Sequence, residues 1–187
     1  MPITLLPRPP MAELLQAVSR LIRLGVPPLT ASPAWADPQG PAPAGHWLLP
    51  AGARVYQYDE PEAIKSPACI IYHGGDAVQK YPDSRTYWTI PLRVDIMVGR
   101  KLKAQEIENG LAELSRVLTE TLPTGDPATA SPWARLSVIS AAIASAGTPW
   151  VHIFSHGIRD VQTTPLRSEN GHPVLSLSAN IFCGTIT

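Results

Sequence analysis

Apolar residues recur at Met11, Leu14, Leu15, Val18, Leu21 and Ile22, the three-and-four spacing of one helical face. Glu13, Gln16, Ser19, Arg20 and Arg23 take the other face. Pro9 and Pro10 stand before this run and Gly25 and Pro27 after it, so the pattern predicts a helix over residues 11–24. A second stripe, Ala104, Ile107, Leu111, Leu114, Leu118 and Thr121, predicts a helix over 103–122, closed by Pro123 and Gly125. Ser131 and Pro132 are a good N-cap and a good first helical residue. Trp133, Leu136, Ile139, Ile143 and Ala146 then predict a third, shorter helix ending at Gly147.

Strand patterns have period two. Residues 87–98 alternate strictly: Trp88, Ile90, Leu92, Val94, Ile96 and Val98 share one face, and Tyr87, Thr89, Pro91, Arg93, Asp95 and Met97 the other. Pro91 has no N–H for a ladder, so its nitrogen must face an unpaired side or a bulge. Residues 54–58 and 68–73 are rich in Val, Tyr and Ile and read as strands, the second followed by the turn signal Gly74-Gly75-Asp76. Residues 150–161 and 174–186 read as a hairpin around Ser168-Glu169-Asn170-Gly171. In its last strand Leu175, Leu177, Ala179, Ile181 and Cys183 face one way, and Ser176, Ser178 and Asn180 the other. The expected fold is one α+β domain over residues 1–187, a mainly antiparallel β-sheet of about five strands packed against two or three helices.

Residues 26–53 break both periods. This stretch holds seven of the chain's 21 prolines together with Trp35 and Trp47. A loop this long inside one domain is uncommon and usually functional or disordered. Its tryptophans either anchor it on its own core or pack on a neighbouring subunit.

Charge narrows the function. The 187 residues carry 15 basic and 15 acidic side chains, a formal charge of zero, which disfavours binding driven by nucleic-acid phosphates or an anionic membrane surface. Charged residues make up 16% against a usual quarter or so, which leaves the chain weakly protected against self-association. The N-terminus lacks the basic and apolar regions of a signal peptide, and no apolar run is long enough to suggest a transmembrane helix. Cys69 and Cys183 form no metal knuckle and read as reduced core residues.

Catalytic constellations are weak. His152 and His156 lie at strand spacing, which puts both imidazoles on one face, and His172 across the hairpin is a conceivable third metal ligand. Ser155 and His156 are adjacent on a strand and point apart, so they make no dyad. Asp59, Glu60 and Glu62 read as a solvated turn. The expectation is a protein without enzymatic activity, cofactor or metal; the rival of a different class is a small metal-dependent hydrolase built on the three histidines.

The run Tyr87-Trp-Thr-Ile-Pro-Leu-Arg-Val-Asp-Ile-Met-Val-Gly-Arg, the helix after it, Gly157-Ile-Arg-Asp-Val, a polar turn and Gly171-His-Pro-Val-Leu-Ser-Leu-Ser-Ala-Asn-Ile form an ordered set. It resembles the tail terminator proteins of long-tailed bacteriophages. The 26–53 loop and the 132–147 segment depart from the compact form of that family. The resemblance implies a virion protein of the tail and neck, assembled in the host cytoplasm. Six copies would form a ring on the last ring of the tail tube, stop its polymerisation and offer a surface to the head-side connector or stopper. It implies the tail tube protein as partner, with the sheath protein as a further candidate. Another neck component, such as a head–tail stopper, is the nearest alternative. A ring needs two different contact surfaces per subunit, and the candidates are the strand face with Arg93 and Asp95 and the loop with Trp35 and Trp47.

Overall fold

The computed structural model describes residues 9–24, 35, 37, 40–57, 64–75, 78–80, 87–122, 130–144, 150–168 and 170–186. The residues closing the first helix, much of the 26–53 loop, the Asp59–Glu62 turn, the 123–129 linker and Gly147 lie outside them. The elements in order are α1 (Met11–Leu24), β1 (Arg54–Gln57), β2 (Ala68–His73), β3 (Val78–Lys80) and β4 (Tyr87–Met97). They continue with α2 (Ala104–Thr119), α3 (Pro132–Ile143), β5 (Trp150–Arg167) and β6 (Pro173–Ile186).

The sheet runs β1-β2-β4-β6-β5, with β3 on the β2 side of β4. All pairings are antiparallel except β1 with β2. The fold is α+β, as the alternation of the strands predicts. Both β4 and β5 run antiparallel to β6, so they are parallel to each other, and α2 and α3 join them with β6 inserted between. This is a split β-α-β unit.

Register follows the hydrophobic pattern, because a one-residue slip would turn every apolar side chain of β4 out of the core. Trp88, Ile90, Leu92, Val94 and Ile96 oppose Cys183, Ile181, Ala179, Leu177 and Leu175, and all ten are buried. The helices pack on this face: Leu14, Leu15, Val18, Leu21 and Ile22 of α1, Leu114, Val117 and Leu118 of α2 and Leu136 of α3 join the same core. Gly110 lets α2 come close, since a Cβ there would sit 2.5 Å from a methyl carbon of Leu175. At Pro91 the carbonyl accepts from Gly74 N–H at 2.7 Å. A strand residue points its nitrogen and carbonyl to the same side, so the Pro91 nitrogen faces the break between β2 and β3.

Some bounds differ from the periodic reading. Helix α2 stops at Thr119 because Glu120 is extended (φ −73°, ψ 123°). Strand β5 continues to Arg167, well past residue 161. Its polar end, Gln162 to Arg167, pairs residue by residue with Ser178 to Pro173, so backbone bonding rather than apolar alternation makes it a strand. In α3 the buried set is Pro132, Arg135, Leu136, Ser137 and Ser140, not the full aliphatic stripe. Ser137 Oγ accepts from Ile153 N–H at 2.8 Å, and Ser140 Oγ accepts from Val151 N–H at 2.6 Å. The serines satisfy donors on the outer edge of β5 that no strand pairs. Arg135 donates to the carbonyls of Ala130 (2.7 Å) and Glu120 (2.6 Å), tying the end of α2 to the start of α3.

Candidate interaction surface

Strand alternation sends every second side chain of the sheet away from the helices. Among the described residues no helix lies over that second face. It has a polar part and an aromatic part.

The polar part is built on β2 and β4, where Tyr72 lies opposite Arg93 in the register. Asp95, two residues along β4, is only 9% exposed. Its Oδ2 accepts from the Tyr72 hydroxyl at 2.7 Å, and its Oδ1 accepts from Arg93 Nε at 3.1 Å. The Arg93 guanidinium carbon lies 5.7 Å from the Tyr72 ring centroid, a cation–π distance. The hydrogen bond to Asp95 pushes the Arg93 pKa above its ordinary value, so this side chain is a fixed cation. The pairing engages Nε of Arg93, whose side chain remains 35% exposed. That geometry suits bidentate recognition of a carboxylate.

The aromatic part lies at the other end of the strands. Tyr87 meets Phe154 edge-on, with centroids 5.0 Å apart and an interplanar angle of 81°. Phe154 also lies 5.1 Å from Phe182 and 5.1 Å from His152, which in turn lies 6.0 Å from Trp150. Arg159 stands 5.9 Å from the Phe182 centroid. All five aromatic rings are half-buried. Gly184 makes the contact possible: a Cβ there would meet the Phe154 ring at 3.3 Å and Tyr87 at 3.6 Å.

The two tryptophans of the loop dock on their own chain. Trp47 Nε1 donates to the Ile22 carbonyl at 2.8 Å, and Trp35 lies edge-on to His46 with Arg23 5.6 Å from its centroid. Both pack against the core and remain partly exposed.

The histidines do not converge. A register shift between Ile153 and Ile158 breaks the alternation that put His152 and His156 on one face. His156 takes φ 55° and lies 4.7 Å from the Trp133 ring of α3 with the planes tilted by 46°, whereas His152 stays among the rings of the second face. His172 sits in the turn, where its backbone bonds Ser168. Among the described residues no three His, Cys, Asp or Glu side chains are placed to hold a metal. No described helix is long and apolar enough to cross a membrane.

No protein-family model matches the chain, and no curated protein matches it either. The sequence reading marked Arg93 and Asp95 but missed the aromatic cluster. Its signal was present as aromatic residues at polar-face positions, Tyr87 beside Trp88 and Phe182 beside Cys183. The cluster spans three strands, and only the register brings its members together.

Proposed function

We propose that this chain is a non-catalytic structural subunit of a bacteriophage tail. It is a terminator that closes into a six-membered ring on the tail tube and presents a surface to the head-side connector. The observation that supports a packing role is the second face of the sheet, which carries half-exposed Tyr72 and Arg93 at one end and half-exposed Tyr87, Phe154 and Phe182 with exposed Arg159 at the other. Tyr and Arg dominate binding hot spots. The five strands of this face, from 4 to 18 residues long, together cover roughly 800 Å² at strand spacings of about 4.8 and 3.3 Å. That equals the usual share per partner of a stable interface, about 800 Å². In a ring this face of one copy meets a different surface of the next.

Electron microscopy of tails formed without this chain tests the reading. Tubes of uncontrolled length are expected. Tails of normal length that fail to join heads would replace the terminator with a stopper. The purified chain, alone or on tube ends, should reach six times its 20.1 kDa mass. An assembly of any other closed number overturns the ring proposed here.

A further inference from the structure

The apolar stripe of α2 runs past the part of the sheet that covers it. Leu114, Val117 and Leu118 are buried, but Ile107 and Leu111, in the preceding turns, are only half-buried. They face the tip of the β5–β6 hairpin across a cleft of about 550 Å³, whose lining Leu102, Pro165 and Pro173 extend. The cleft is distinct from the second face of the sheet, since α2 lies on the core side.

Its mouth is charged. Lys101, Arg167 and Glu108 line it, and all three are exposed. Neither Lys101 nor Arg167 makes an ion pair among the described residues. Arg100 is already held by Glu106 Oε1 at 3.0 Å, while Glu106 Oε2 accepts from Lys103 N–H at 2.7 Å. Among the described residues the mouth therefore offers two cations without an ion pair against one carboxylate, above half-exposed aliphatic groups.

We propose that this cleft binds an acidic, apolar segment of a protein partner. One or two large apolar side chains cover Ile107 and Leu111, and a carboxylate of the same segment reaches Lys101 and Arg167. Charge complementarity selects this occupant. A fatty-acid-like anion fits less well, because such ligands need a site that encloses most of their surface. Here exposed Ala104 and Pro165 leave the cleft open, and Glu108 interrupts its mouth. The proposal stands independently of the ring.

The test selects short random display peptides on the full chain, with Lys101→Glu/Arg167→Glu as the counter-target. A second variant, Ala104→Trp, plugs the cleft from an exposed position. Melting curves confirm that both variants fold. The expected peptides combine Asp or Glu with Leu, Ile or Phe, and bind less tightly as salt rises. Their affinity should fall about tenfold or more in each variant, a loss on the scale of one good charge-assisted contact. Peptides that lack acidic residues, or that bind either variant unchanged, overturn the proposal, as does a selection that enriches nothing. Laurate binding to the wild-type cleft in the absence of any peptide family would assign the site to a lipid anion instead.

Discussion

At the residue scale, His46 shows how one side chain holds an irregular segment. It is 8% exposed, and its Nδ1 accepts from the N–H groups of Leu48 (3.2 Å) and Leu49 (2.9 Å). With Nδ1 used as acceptor, the ring proton resides on Nε2 and is donated to the Arg23 carbonyl at 3.2 Å. Burial pushes the His46 pKa below its ordinary value of about 6.5. The unfolded chain then takes up a proton before the folded chain does. His46 leaves stability unchanged above about pH 6.5 and lowers it as pH falls from there toward the folded-state pKa. Urea unfolding at about pH 7.5 and about pH 5.5 should show this loss, and His46→Asn should reduce the difference. Trp47→Phe removes the bond to the Ile22 carbonyl and should cost about 1 kcal/mol in the same measurement. Cys69 and Cys183 are free and buried, and burial pushes both thiols up to about 12. A thiol reagent should therefore label neither in the native state and both in denaturant; rapid native labelling would contradict this.

At the element scale, the outer edge of β5 depends on α3 rather than on another strand. Ser137 and Ser140 accept the N–H groups of Ile153 and Val151. Replacing either serine with alanine leaves a buried backbone donor unsatisfied, at about 1–3 kcal/mol each. Because the two sites share one helix–strand contact, the double variant should depart from additivity. Denaturant midpoints of the single and double variants measure this. A double variant as stable as wild type would mean that water or a small shift of α3 satisfies the edge.

At the scale of the whole molecule, the described helices pack on one side of the sheet, and the other side is the proposed contact face. Tyr87→Ser with Phe182→Ala strips the aromatic end of that face. Both side chains are half-exposed, so the fold should lose about 1 kcal/mol, or about 2–4 °C in melting temperature for a chain of this size. The proposed ring should weaken far more, read as loss of the six-copy species by native mass or microscopy. A variant that melts much earlier yet still assembles would make the cluster part of the fold rather than of an interface. Truncating Trp35 and Trp47 should do the reverse, lowering monomer stability first, because both indoles are seated on α1 and its neighbours.

Strict alternation from Tyr87 to Met97 set by itself which side chains of β4 enter the core, since the pleat allows only two faces. The same holds for α1, whose ends are written in prolines and an apolar stripe. Arg93 and Asp95 were legible as outward-facing for that reason, but their bond to each other and to Tyr72 needed β2 laid beside β4. Periodicity failed where the backbone is irregular. The register shift in β5 separated His152 from His156, and the serine-lined face of α3 was fixed by unpaired N–H groups on a distant strand. The aromatic cluster joins residues 87, 154 and 182, and the cleft joins α2 to the hairpin tip. Local pattern reports how each segment divides its faces. It holds no information on which faces meet, because that depends on strand order and on hydrogen bonds made between segments far apart in the chain.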